Sequence, residues 1–163
     1  MLHIYSKEQK HVLLKTYYQL LHLEQAIEII RKNSTAHTQV SILGKLDSRY
    51  SDNNEISVQQ KEQLNRYWKE SLGPLTDVGF FSNPEIGTVY IAGPLTPLFL
   101  SNVDGKKLGE ITNGPYGILR GLGIHKDNVI DYIKTLEEGG YWLIIRGFEY
   151  ELRNLEDSLR KVG

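Results

Sequence analysis

The chain has 163 residues and no cysteine, and its 19 basic and 20 acidic residues give a formal net charge of −1. The length fits one domain with its own core, and the lack of cysteine excludes disulfides, thiolate nucleophiles and cysteine-ligated zinc sites. Such a composition is typical of the reducing cytoplasm, where we expect the protein to reside. Balanced charge excludes a large field of one sign, so no nucleic-acid partner is expected.

The first half of the chain predicts a β-α-β unit. Branched and aromatic residues over 11–19 favour a strand. Apolar residues at helical spacing then indicate a helix with one buried face, formed by Leu23, Ala26, Ile27 and Ile30. Alternating polar and apolar residues over 38–43 are typical of a half-buried second strand.

A loop and a helix follow the second strand and form an expected insertion at 47–73. Segment 47–55 is polar and rich in turn residues, which predicts a loop, and its acidic residues lack the spacing of a calcium loop. Ser57 and Gln60 have the spacing of a capping box that begins a helix. Gly73 and Pro74 end this helix.

A third strand is predicted at 87–92, and a glycine-rich segment follows it at 101–123. Gly93 and Pro94 break the strand. The segment contains two GxxxG spacings, and the charged residues among them favour close packing within a globular fold over helix pairing in a membrane. The run at 89–100 is also too short and too interrupted to span a bilayer.

The last predicted elements are a helix, a strand and a second helix. The helix at 127–138 ends at Gly139 and Gly140. Aromatic and branched residues at 141–146 indicate a strand buried on both faces. An amphipathic pattern over 149–162 predicts a C-terminal helix that packs on the rest of the chain.

This order of elements predicts an α+β fold of the ferredoxin-like type, a split β-α-β arrangement with a four-stranded antiparallel sheet. The first and third strands would lie centrally, and the helices would pack on one face. We expect a single domain over 1–163, with its core at 11–147, the insertion at 47–73 and the C-terminal helix at 149–162.

No catalytic, cofactor-binding or metal-binding residues are predicted. No serine lies in a G-x-S-x-G motif, and the histidines show no zinc-binding spacing. Gly121 and Gly123 precede a helix as in half of a phosphate-binding fingerprint, but Lys126 occupies its third glycine position. The motif glycines are therefore interpreted as structural.

Three short motifs carry a family resemblance. They are Gly93-Pro94-Leu95, the Leu122-Gly123-Ile124 turn, and the Gly139-Gly140 pair before the last strand, and Tyr132 lies between the last two. With them, the chain is similar to the bacterial heat-induced or general stress protein family over about 12–159. The resemblance implies a small cytosolic protein linked to stress, with no defined biochemical activity and no active site to transfer. His125 stands where such proteins have a helix-opening proline.

Three functional hypotheses remain. The leading one is a non-catalytic module that acts through self-association, as a homodimer, or through a protein partner. The second is a small-molecule binder or cofactor-free enzyme with a pocket between the sheet and the glycine-rich segment. The third is peripheral membrane association, although a membrane partner is not expected. The residues predicted to form a pocket or interface are Tyr17, Tyr90, Trp142 and Arg146.

Overall fold

The computed structural model describes residues 9–33, 37–46 and 57–163. Its strands are β1 (Lys10–Tyr17), β2 (Gln39–Lys45), β3 (Val78–Asn83), β4 (Gly87–Ala92), β5 (Asn102–Val103), β6 (Lys106–Lys107) and β7 (Tyr141–Phe148). Its helices are α1 (Leu20–Asn33), α2 (Val58–Leu72), α3 (Thr96–Leu100), α4 (Gly114–Gly121), α5 (Lys126–Glu137) and α6 (Glu149–Leu159), and a 3-10 turn covers Leu108–Glu110. The predicted loop at 47–55 lies outside the described residues.

Five strands form one antiparallel sheet in the order β1-β7-β2-β4-β3. Strands β1 and β2 both run antiparallel to β7, which lies between them, so they are parallel to each other and α1 connects them. Strands β4 and β7 both run antiparallel to β2, which lies between them, so they are parallel to each other. The sheet therefore consists of two interlocked split β-α-β units with β7 and β2 at its centre.

The α+β class and the antiparallel sheet are confirmed, but the predicted arrangement of four strands differs from the observed one. β1 lies at an edge instead of the centre, and the unpredicted β3 pairs with β4 as a hairpin. The strand signal of β3 is obscured by Gly79, where a Cβ would collide with the Leu100 side chain of α3. Glycine is usually a poor strand residue, and here it allows a helix to approach the sheet closely.

Helices cover both faces of the sheet, which corrects the expectation that they pack on one face. We name the side covered by α3, α4 and α5 face A, and the side covered by α1, α2 and α6 face B. Along β7, Trp142 and Ile144 point into the core of face A, whereas Leu143 and Ile145 point into that of face B. A strand that is apolar on both sides needs a cover on each, so β7 is central.

Several local predictions are confirmed. The four apolar residues predicted for α1 are all buried. In the capping box, the backbone N–H of Gln60 donates to Ser57 Oγ at 3.1 Å, and the backbone N–H of Ser57 donates to Gln60 Oε1 at 3.3 Å. His125 begins α5, because its Nδ1 accepts a hydrogen bond from the backbone N–H of Asp127 at 3.2 Å. An imidazole thus fills the capping role that Ser or Asp usually takes.

Two expectations about burial and regularity need correction. Strand β2 was expected to be half-buried, but residues 41–44 are all buried because β2 lies in the middle of the sheet. The glycine-rich segment at 101–123 was not resolved into elements by the sequence, and it contains the β5–β6 hairpin and α4. Helix α4 begins after Asn113, which has a left-handed φ of 63°.

Candidate functional site

The β3 edge of the sheet is closed by side chains of the glycine-rich segment. Lys107 Nζ donates to the Phe80 carbonyl oxygen at 3.0 Å, and Glu110 Oε2 accepts from the Ser82 backbone N–H at 3.2 Å. Outward backbone groups of an edge strand form a template for another strand. These two contacts occupy such groups and withdraw β3 from pairing.

The β1 edge is open. β1 is the terminal strand of the sheet, and within 9–33, 37–46 and 57–163 it forms strand hydrogen bonds with β7 alone. Alternate residues of an antiparallel pair direct their N–H and C=O groups away from the partner. About half of the eight residues of β1 therefore present unpaired backbone groups along one free edge.

The open edge carries positive charge. β1 contains Lys10, His11 and Lys15 and no carboxylate. Arg146, whose side chain is exposed on face A, is the register partner of Val12 and adds a further cation beside the edge. Within the described residues none of these four side chains takes part in an ion pair, whereas two of the four acidic side chains of α6, which packs beneath β1, pair with Arg153 and Arg160.

Exposed apolar side chains follow directly after β1. Tyr18 is 62% exposed and Leu21 is 58% exposed, and Leu20 between them is also exposed. The Tyr18 hydroxyl donates to Thr135 Oγ1 at 3.5 Å, which holds the ring at the end of β1. Contiguous exposed apolar groups of this kind often mark a contact surface.

A row of mostly aromatic residues crosses face B of the sheet. It lies near the start of β7, whereas α6 begins beyond the other end of that strand. Its register runs from Tyr17 through Tyr141, Gly44 and Tyr90 to Phe80, one residue from each strand. The missing side chain of Gly44 leaves the space that the ring of Tyr90 fills. Tyr17 and Tyr90, predicted as pocket or interface residues, are therefore core residues of this row.

The phenols of this cluster keep their protons well above neutral pH. Burial raises the pKa of Tyr90 above the usual 10.0, and the neighbouring Tyr141 contributes. Burial also raises the pKa of Tyr67 on α2, helped by Glu24 of α1, whose carboxylate accepts the Tyr67 hydroxyl. A general acid or base needs a pKa near the working pH, so these phenols serve packing and not proton transfer.

The two remaining predicted pocket residues lie elsewhere. Trp142 is completely buried on face A, where its Nε1 donates to the Tyr132 carbonyl oxygen at 2.7 Å. Tyr90 lies on face B, so the sheet separates these two side chains. Arg146 is exposed beside the β1 edge. Tyr90, Trp142 and Arg146 therefore do not line one common pocket.

A cleft of about 640 Å³ opens between the C-terminal ends of α1 and α2 on face B. Gly93 and Pro94 lie in its wall, together with Arg31, whose guanidinium donates to the Ser71 carbonyl oxygen. Thr38 also lines the cleft, and its Oγ1 is buried with no hydrogen-bond partner in the described part of the chain. A buried hydroxyl without a partner is energetically unfavourable, and a bound polar group would satisfy this one only if the wall of the cleft opened to expose it.

Two further cavities lie on the side of face A. One, of about 550 Å³, lies between the β3–β4 turn, α4 and α5. The other, of about 510 Å³, is mainly apolar and runs along α4, where Gly121 is part of the wall. No cluster of three or more His, Asp or Glu side chains that could hold a metal ion occurs among the residues the structure describes.

The motif glycines serve two different purposes. Gly93 has a φ of +121° and packs against the β2 backbone, and the Leu95 N–H that follows donates to Ser41 Oγ at 3.0 Å. At Gly140 a Cβ would collide with Thr135, and Gly139 has a φ of +97° that ends α5. Gly123 likewise has a positive φ, of +95°, after α4. Gly121 has open space around it, so the close packing expected for it does not occur among the described residues.

The fold and its edges define a mixed α+β protein with a five-stranded sheet, one edge of which is free within the described residues. Comparisons with protein-family models, with curated proteins and with solved structures gave no match. Across the described ranges, no helix combines the length and apolar character needed to cross a bilayer.

The open edge was not predicted from the sequence. Its signal was present in β1 itself, since lysines such as Lys10 and Lys15 are typical of edge strands. The position of β1 in the sheet, however, depends on β7, which is distant in the chain.

Proposed function

We propose that this chain is a non-catalytic protein-interaction module that takes up an extended segment of a partner along the free edge of β1. The observation that carries the proposal is the difference between the two edges. Among the described residues, side chains occupy two outward backbone groups of β3, whereas none occupies those of β1. Strand addition to an open sheet edge is a common mode of peptide recognition, in which main-chain hydrogen bonds supply affinity.

The exposed groups beside β1 support this proposal. The apolar side chains of Tyr18 and Leu21 lie at the end of the edge, where they would contact a bound segment beyond the strand. The predicted interface residues Tyr17 and Tyr90 stabilise the sheet from inside, so the proposed surface differs from the one that the sequence indicated. Location in the cytoplasm and a role in stress, which the family resemblance implies, remain part of the proposal.

Hydrogen exchange of the backbone amides tests the proposal. The probe is a strand-forming peptide of about eight alternating valine and threonine residues, with an N-methylated version as the control because it cannot donate along one edge. We expect the unmodified peptide to slow exchange at alternate residues of 10–17 and to leave 78–83 unchanged. If exchange in β1 stays the same at about millimolar peptide, the proposed function is wrong.

The possibility that two copies of the chain form a homodimer is tested with the wild-type protein alone. Sedimentation equilibrium at increasing concentration measures self-association, and hydrogen exchange shows whether β1 is the contact. Protection of β1 that grows with protein concentration alone supports pairing of two copies through this edge.

A second candidate function is the binding of a small polar ligand in the cleft between α1 and α2. The unpaired Thr38 Oγ1 in the wall of this cleft favours it. A thermal-shift screen of metabolites tests it, with Thr38→Val as the matched variant, because valine keeps the shape and removes the hydroxyl. A ligand that stabilises the wild-type chain and Thr38→Val equally does not use this site.

Sedimentation with liposomes tests the membrane hypothesis.

A further inference from the structure

From the charges along the open edge, we infer that the segment bound by β1 is acidic, an extended stretch that carries both Asp or Glu and apolar residues on each of its two faces. This inference rests on the proposed function and names the chemical class of the partner. It follows from three features of β1: the unpaired backbone, the cations on both sides of the strand, and the effect of these cations on a second copy.

The cations lie on both sides of the strand. Successive residues of a strand point to opposite faces, so Lys10 points to face A, as Val12 and Leu14 do, whereas His11 and Lys15 point to face B. Arg146 adds charge on face A beside Val12. A strand added to β1 would meet a basic side chain on either face. Carboxylates at its matching positions would pair with them across the strands.

The same cations oppose pairing of β1 with a second β1. Antiparallel pairing of two copies would bring together two lysines from each strand, with no carboxylate on either. Like charges across strands are destabilising, and lysine on an edge strand discourages self-association. Charge therefore selects an acidic segment and disfavours the second copy at this edge.

Apolar positions of the bound segment also have a place to pack. Val12 and Leu13 are half-buried on opposite faces of β1, so each retains apolar surface that an added strand would cover. A segment with carboxylates and valine or isoleucine on each of its faces thus matches the edge on its charged and its apolar positions.

The test compares three peptides of about eight residues in which pairs of valines alternate with pairs of glutamates, glutamines or lysines, so that each face of the strand carries both kinds of side chain. Affinity is measured by fluorescence anisotropy, and hydrogen exchange of 10–17 locates the contact. Two or three exposed charge pairs lead us to expect the glutamate peptide to bind about tenfold more tightly than the glutamine peptide, with the lysine peptide weakest. Raising the salt concentration should reduce this advantage.

A charge-reversal variant completes the test. Lys10→Glu combined with Lys15→Glu should reverse the order, so that the lysine peptide binds more tightly than the glutamate peptide. The matched control is Lys106→Glu, an exposed lysine of the β5–β6 hairpin beyond the opposite edge, which should leave the wild-type order unchanged.

The outcomes separate the inference from the proposed function. Protection of β1 by the glutamine peptide at the same affinity as the glutamate peptide overturns the inference and leaves the strand-addition function standing. Absence of protection by all three peptides overturns both. Protection of β1 in a dimer without any peptide overturns the inference, because a second copy would then occupy the edge.

Discussion

Replacing Gly44 by alanine tests the central packing feature of face B. Gly44 lies on β2 between Tyr141 and Tyr90 in the aromatic row. A Cβ at this position would overlap the ring and hydroxyl of Tyr90, which is buried, with the Trp68 ring centred 6.2 Å away. The ring has no free direction in which to move, so the added methyl group must strain the core.

The magnitude follows from two opposing terms. Overpacking of a core typically costs about 1–3 kcal/mol. Replacing glycine by alanine reduces the conformational entropy of the unfolded chain, which recovers about 0.4–1 kcal/mol. We therefore expect Gly44→Ala to lower the free energy of unfolding by about 1–2 kcal/mol, and for a chain of this size each kcal/mol corresponds to about 2–4 °C in Tm.

Urea denaturation of two matched variants checks this reasoning. In a Tyr90→Leu background the ring and hydroxyl are gone, so Gly44→Ala should be neutral or stabilising there, although Tyr90→Leu itself is destabilising. Gly117→Ala is the control, because a Cβ on this exposed residue of α4 meets nothing, and it should stabilise by about 0.5–1 kcal/mol. An equal loss from Gly44→Ala in both backgrounds would refute the steric explanation.

Three further predictions concern a cap, a hydrogen bond and the buried phenols. Ser57→Ala removes the capping box of α2 and should cost about 1 kcal/mol in urea denaturation, whereas Ser57→Asp should retain most of the stability; equal losses would contradict the capping role. Trp142→Phe leaves the Tyr132 carbonyl oxygen without its donor and should cost about 1–3 kcal/mol, and an unchanged urea midpoint would show that the bond contributes nothing. Because burial raises the pKa of Tyr90 in the folded chain, the unfolded chain loses its proton first above about pH 10, so stability should fall from there upward and stay level with respect to this group below it. Absorbance at about 295 nm should show ionisation of this phenol only together with unfolding, and Tyr90→Phe should weaken the alkaline loss; ionisation of every tyrosine near pH 10 in the folded chain would contradict this.

Features that depend on neighbouring residues could be predicted from the sequence. The helical spacing of Leu23, Ala26, Ile27 and Ile30 predicted α1, because one face of a helix is visible within a single segment. The capping box at Ser57 and the two-sided burial of β7 were predicted for the same reason.

Features that depend on distant pairing could not be predicted in this way. The register that places β7 between β1 and β2 joins segments from both ends of the chain, so no local pattern contains it. The row of aromatic residues and the separation of Tyr90 from Trp142 follow from that register. The open edge of β1 follows from it as well. Of the four residues that sequence reasoning proposed for a pocket or interface, Tyr17, Tyr90 and Trp142 are therefore buried, and Arg146 is exposed beside this edge.

The central position of β7 also bears on how the chain folds. β1 and β2 cannot form a sheet with each other first, because the slot between them is filled by a strand that follows α5. During synthesis β2 can pair with β4, but β1 has no strand partner until this late segment leaves the ribosome. Pairing across such large sequence separations favours slow folding, so this protein should depend on chaperones more than a helical protein of the same length.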